Sequence, residues 1–213
     1  MKDAAISRGK QAKSLGVDIK LSTTVTKDLL EVVAPDEVIV ATGGKPTPIN
    51  IPGSDLAHVY NSFDVLRGDV KAKGKIAVIG GGLVGLEVAA FLAEDKDNQV
   101  IVLEMQAEVG QELGIFRKIC VMENLYVSGI ETKVNTTVKE IKAGSIVIET
   151  DGEISEINCD AVVTAVGAVS RNYEEIQAYC ESNEIPYNVI GDAKKARRAI
   201  DAIAEAASLA RTI

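Results

Sequence analysis

The chain has 213 residues, 46% of them hydrophobic and 25% charged, which suits an ordinary globular protein with one large domain or two small ones. Its net charge of -8 argues against a nucleic-acid partner, because phosphate binding needs a basic surface. No apolar run reaches the ~18 residues of a membrane span, and the start Met1-Lys2-Asp3-Ala4 has no signal-peptide core.

From the amino end, residues 3 to 15 carry Ala5, Ile6, Ala12 and Leu15 at helix-like spacing, with Gly16 as the stop. Val17 to Leu21 alternates as a short strand, and Leu29 to Val33 is a further apolar piece. Glu37 to Ala41 is a compact apolar run closing on Thr42-Gly43-Gly44, as a buried strand ending in a loop would. Pro46, Pro48 and Pro52 make residues 45 to 53 an extended connector. Lys75 to Ile79 is a second buried strand, followed by a helix from about Leu83 to Glu94 with Val84, Val88, Phe91 and Leu92 on one face.

Val100 to Glu104 reads as the next strand, a helix from about Gln111 to Tyr126 ends before Gly129, and Ile130 to Val134 is a short strand. Residues 138 to 141, 145 to 150 and 153 to 158 form an antiparallel three-stranded ribbon, its turns marked by Gly144 and Asp151-Gly152. Ala161 to Val166 is again a strand, residues 173 to 183 a helix, and Val189 to Asp192 a last short strand. A final helix from about Lys194 to Ala210 carries Ala196, Ile200, Ile203, Ala207 and Ala210 as its apolar stripe. Strands alternating with helices give an α/β fold with a parallel sheet. Cys120, Cys159 and Cys180 are far apart, with no metal or disulfide spacing, which points to a reducing, cytoplasmic location and no metal site.

The residues with the clearest chemistry are Gly80-Gly81-Gly82-Leu83-Val84-Gly85, a GxGxxG placed between a strand and a helix. Gly80 turns the chain off the strand, Gly82 lets backbone approach a pyrophosphate, and Gly85 lets the helix pack closely on the strand. The helix start then offers free N–H groups to phosphate oxygens. Glu104 ends the second strand, where a carboxylate accepts hydrogen bonds from ribose hydroxyls and repels a 2′-phosphate. No Lys or Arg follows directly, so the spacing predicts NADH in preference to NADPH.

Asp36 to Gly44, Ile51-Pro52-Gly53, Gly80 to Glu87, Glu104-Met105, Ala165-Val166-Gly167, Ile190 to Ala193 and Arg197 to Ile203 occur in an order that resembles the pyridine nucleotide-disulfide oxidoreductase superfamily. The likeness is to the C-terminal region of 2-enoate reductase and 2,4-dienoyl-CoA reductase type flavoproteins. It implies that Thr42 and Gly43 pass beside a flavin and that Asp192, after Gly191, hydrogen-bonds its ribityl chain. It also implies that the helix after Asp192 points at the FAD pyrophosphate, that Glu87 lies near the nicotinamide, and that Gly167 crosses the bound nucleotide. The implied activity is hydride transfer from NADH to FAD, for reduction of a further acceptor such as an enoate or enoyl-CoA. No role is assigned to His58, and no side chain is expected to act as a catalytic acid, base or nucleophile.

Each of these residues has a plainer reading: Asp192 as a helix cap, Thr42 to Gly44 as a strand-end turn, Glu87 as a salt-bridged helix residue, and the Lys194, Lys195, Arg197, Arg198 cluster as a solvated turn. The chain also lacks a second GxGxxG for the flavin adenosine and the redox Cys pair of disulfide reductases. The expectation is therefore a fragment or separate subunit short of one βαβ unit of about 30 residues. FAD then belongs to the complete protein and is not held by this chain alone. The expected organisation is a nucleotide domain over residues 71 to 168, inserted in an incomplete FAD-type α/β domain made of residues 1 to 70 and 169 to 213. An open sheet edge there offers a route to a homodimer. The alternative is a non-catalytic NAD(H)-binding module or assembly subunit.

Overall fold

A computed structural model describes residues 2 to 213. In chain order it contains α1 (Lys2–Ser14), α2 (Lys27–Val33), β1 (Val38–Val40), β2 (Gly44–Pro46), β3 (Val59–Asn61), α3 (Ser62–Arg67) and β4 (Lys75–Ile79). Next come α4 (Leu83–Leu92), β5 (Gln99–Leu103), α5 (Ile115–Val127), β6 (Glu131–Lys133), β7 (Thr136–Lys142), β8 (Ser145–Thr150) and β9 (Glu153–Asn158). Last are β10 (Ala161–Thr164), β11 (Ala168–Ser170), α6 (Glu174–Ser182), β12 (Tyr187–Val189), a 3-10 turn at Gly191–Ala193 and α7 (Ala199–Leu209).

The chain divides into two compact units, one of Met1–Ala41 with Asn172–Ile190, the other of Thr42–Arg171 with Gly191–Ile213. In the smaller unit β1 pairs in parallel with β12, and Leu30, Tyr179 and Cys180 form a small core with Val38, Ile176, Ile185 and Tyr187 against it. The alternation from Val17 to Leu21 does not make a strand. It has no neighbouring strand to bond, and Val17 and Leu21 stay exposed.

The larger unit is built on a five-stranded parallel sheet in the order β3-β10-β4-β5-β6. After the exposed Lys75, strand β4 is apolar and buried from Ile76 to Ile79, as a central strand covered on both faces must be. On one face α4 buries Leu86, Val88, Ala89 and Leu92 against Ile76, Val78, Val102 and Val163. Phe91, expected on that face, is instead largely exposed. The other face is covered by the antiparallel ribbon β7-β8-β9, whose Val138, Ile141, Ile146 and Ile148 pack with Ala77, Ile79, Leu103 and Val162. A parallel sheet with an antiparallel three-stranded ribbon is thus the observed architecture.

Three elements go beyond the sequence reading. The connector before residue 71 contributes β3 and α3, and β3 bonds to β10 in the main sheet. The prolines do not stop residues 44 to 46 from pairing antiparallel with β11, since Pro46 stands at the strand's end. The last helix begins at Ala199, later than expected, and buries no side chain fully; Ile200 and Ile203 of its apolar stripe are two-thirds exposed. Its stripe is real in sequence, but among the described residues of its own unit nothing covers Ile200 and Ile203. None of the described helices is long and apolar enough to cross a membrane.

Candidate functional site

At the carboxyl end of β4 the chain must leave the sheet and start a helix within three residues. Gly80 does so with φ +106, and a Cβ there would meet the Ala165 carbonyl oxygen at 2.6 Å. Gly85, on the first turn of α4, lies so close that an added Cβ would stand 1.9 Å from the Gly80 carbonyl oxygen. Neither position accepts a side chain. Gly82 is the N-cap of α4 in ordinary extended backbone and makes no side-chain cap, so the first N–H groups of the helix are left for another acceptor. Leu83 and Val84 form the first turn behind it, both half-buried.

Glu104 follows β5 and is buried to 9% exposure. Its Oε2 accepts the Gly81 N–H at 2.5 Å and its Oε1 accepts the Gln106 N–H at 2.8 Å. A carboxylate offers about four acceptor positions, so roughly two remain for an incoming hydroxyl pair. The Gly110 N–H donates to the Gly81 carbonyl at 2.8 Å and ties the loop after Glu104 to the glycine turn.

These groups wall a cavity of about 450 Å³. Gly80 to Gly82 and Glu104 form one side, the loop through Glu108 and Glu112 another, Thr136 to Val138 of the ribbon a third, and Ala165 to Gly167 a fourth. Gly167, at φ +95, is held by the Thr47 N–H donating to its carbonyl at 3.0 Å. The cavity therefore sits beyond the carboxyl ends of β4 and β5, next to the point where the sheet order reverses from β4 to β10. That is where open α/β sheets bind ligands. The lining contains Glu104, Glu108 and Glu112 and no Lys or Arg.

Other sequence-selected residues lie elsewhere. Glu87 faces solvent and pairs with Arg117 at 3.3 Å. Thr42 is exposed, and the Gly43 carbonyl accepts the Arg171 N–H at 3.1 Å. A Cβ built on Gly44 would be 3.7 Å from the Asp192 Cβ, so the Thr42–Gly44 turn and the Gly191–Asp192 turn are brought together. The Gly191 N–H donates to Glu205 at 2.7 Å, and Arg197 pairs with the same carboxylate. A helix does not follow Asp192 directly. The 3-10 turn Gly191–Ala193 intervenes, Asp192 accepts the Arg197 N–H at 3.2 Å, and α7 starts only at Ala199. His58 keeps a buried Nε2 without a hydrogen-bond partner among the described residues and does not line the cavity.

Sequence reasoning missed Thr136, Thr137, Val138 and Glu112. The ribbon residues carry no local mark, because they reach the cavity only through the fold. Glu112 fell inside a helix read from Gln111, whereas Gly114 caps α5 and Gln111 to Gly114 is loop. Among the described residues no cluster of His, Cys, Asp and Glu is arranged to hold a metal.

A strand, a bare-backbone turn, a helix start and a buried carboxylate just after the next strand define a Rossmann-type α/β unit. Residues 7–192 match the family described as pyridine nucleotide-disulphide oxidoreductase, and the chain belongs to that family. It is 33% identical over 207 residues to a cinnamate reductase of Clostridium sporogenes, covering 94% of this chain and 30% of the relative. It is 32% identical over 193 residues to an NADH oxidase of Thermoanaerobacter brockii, covering 88% of this chain and 29% of the relative. A solved 2-naphthoyl-CoA reductase, in complex with 2-naphthoyl-CoA, superimposes with a TM-score of 0.88 at 30% identity, over 96% of this chain and 31% of that one. The chain spans less than a third of the length of these relatives.

Proposed function

We propose that this chain is the NADH-binding portion of a flavoprotein oxidoreductase. The observation that carries the reading is the Gly80–Gly85 turn, whose bare backbone opens into the cavity beside the buried Glu104. In this reading the pyrophosphate rests against Gly81, Gly82 and the start of α4 at Leu83 and Val84, and Gly85 keeps that helix against the sheet. Glu104 accepts from the adenosine ribose with its free lone pairs, and Gly167 borders the nucleotide's path. Glu104 and the absence of Lys and Arg from the lining support NADH over NADPH. The relative named an NADH oxidase supports the same coenzyme.

Bound together, NADH and FAD would supply a two-electron hydride transfer, and the protein's task is to hold the two rings in register and exclude water. Gly43, Thr42, Gly191 and Asp192 are proposed as one wall of the flavin site, because the two turns meet at Gly44 and Asp192. Glu87 is proposed to lie near the nicotinamide, with Arg117 as its resting partner. Residues 71 to 168 are the nucleotide domain in this scheme, and the flanking segments are the flavin-type part, completed by a segment or subunit that carries the flavin adenosine. The final acceptor is proposed to be an enoate or enoyl-CoA, in keeping with the names of the relatives. We also propose a cytoplasmic protein that can form a homodimer through its flavin-type part.

Titration of the purified chain with NADH, NADPH and FAD tests this. The expected result is NADH binding, weaker NADPH binding, and loss of NADH binding in Gly82→Leu. That variant is informative because Gly82 has ordinary backbone and its nearest neighbour is the movable tip of Glu112. Unchanged NADH binding in a folded Gly82→Leu protein overturns the placement. A protein that binds NADH but gives no flavin reduction even when the segment carrying the flavin adenosine is supplied together with FAD favours the non-catalytic module.

A further inference from the structure

The anion seat of the cradle already has a negative group beside it. A Cβ on Gly82 would lie 3.3 Å from Glu112 Oε1, so the Glu112 carboxylate stands at the N-terminus of α4, where the proposed pyrophosphate would rest. The three cavity carboxylates differ in how they are neutralised. Glu104 accepts two backbone N–H groups. Glu108 pairs with Lys118 at 2.7 Å. Glu112 is exposed and has neither a hydrogen bond nor an ion pair among the described residues. It sits in a loop between Gly110, in left-handed backbone at φ +63, and Gly114, the N-cap of α5. The Gly110 N–H bond to Gly81 anchors one end of that loop against the cradle.

We propose that Glu112 is an electrostatic gate on the dinucleotide cavity, a stand-in anion at the helix start that must withdraw before a diphosphate can enter. The inference rests on the NADH reading of this cavity. A carboxylate there is favoured by the helix dipole in the empty site and repels a diphosphate in the filled one. Glu112 therefore weakens NADH binding, by a factor that depends on salt, and makes release easier. Glu108 has a smaller effect because Lys118 offsets its charge.

Fluorescence titration with NADH of the wild type, Glu112→Gln and Glu108→Gln separates the possibilities. At about 20 mM salt Glu112→Gln is expected to bind about fivefold more tightly, and the gain should shrink to under about twofold near 0.5 M salt as the ions screen it. Glu108→Gln should change less at both salts. Equal affinity of wild type and Glu112→Gln at low salt overturns the gate, as does weaker binding, which would mean that Glu112 grips the coenzyme. In both of those outcomes the wild type binds NADH and the reading of the cavity stands. If neither protein binds NADH at millimolar concentration, the NADH reading itself falls, and the gate with it. Melting temperatures close to wild type are expected for Glu112→Gln, because the side chain is exposed and unbonded.

Discussion

Glu104 and Gly81 are joined by a 2.5 Å hydrogen bond across the cradle, carboxylate Oε2 to backbone N–H. The acid at the end of β5 therefore shapes the glycine turn at the end of β4. The two halves of the dinucleotide motif are mechanically one object.

Removing that carboxylate should loosen the turn. Glu104→Ala leaves the Gly81 and Gln106 N–H groups without their acceptor in a largely buried place. The expected cost is about 2–3 kcal/mol, as for charge-assisted hydrogen bonds. Urea unfolding checks this, and a loss below about 0.5 kcal/mol would show that water replaces the carboxylate without penalty.

Gly85→Ala and Gly82→Ala should differ sharply although they lie three residues apart. At Gly85 the new methyl would overlap the Gly80 carbonyl oxygen, and α4 would have to lift from the sheet. The expected destabilisation is about 3 kcal/mol or more. At Gly82 the nearest atom is the flexible Glu112 tip, so stability should change by less than about 1 kcal/mol. Comparable melting temperatures for the two variants would contradict the close approach.

The Arg197–Glu205 pair beside Gly191 makes a pH prediction. Arg197 first, and the Gly191 N–H second, hold the Glu205 carboxyl below its ordinary value of 4.5. A carboxyl with a lowered folded pKa contributes stability that is full above the unfolded value and is lost as pH falls through the folded one. Glu205→Gln should thus be less stable than wild type at pH 7, and the gap should close as pH falls below about 4.5 towards the acid range. Urea midpoints measured across that range decide it; a gap independent of pH would mean that the charge contributes nothing.

The thiols should react in two groups. Cys120 is exposed, while Cys159 and Cys180 are buried. Burial first, and the neighbouring Asp160 second, push the Cys159 thiol up; burial and Glu181 do the same to Cys180. One fast reaction with a thiol reagent is expected in the native protein, and the other two only after unfolding. Three fast thiols would mean that the described cores are open in solution.

The main sheet and ribbon were legible because their signals are local. Ile76 to Ile79 is a continuous apolar run, Asp151-Gly152 marks a tight turn, and the three cradle glycines lie within six residues. The expected roles of Gly80 and Gly85 rest on steric facts that the structure repeats at 2.6 and 1.9 Å. What was not legible depends on distant partners. Val59 to Asn61 is a strand because β10 lies beside it, and nothing in its own three residues says so. Val17 to Leu21 has the alternation of a strand but no such neighbour. Likewise Thr136 enters the cavity wall because its N–H bonds the Glu104 carbonyl at 2.8 Å, a contact that no spacing along the chain announces.

Strand β10 fills the gap between β3 and β4, yet it is the last of the five sheet strands to leave the ribosome. Until it arrives, β3 has nothing to bond and β4 keeps a bare flank. The chain must then carry unpaired, apolar strand edges through much of its synthesis, which slows folding and invites misassociation. Because Ala165 to Gly167 follow directly on β10, one wall of the cavity is also the last part to be laid. A nascent chain halted before residue 161 would display the glycine turn without the surface that makes it a pocket.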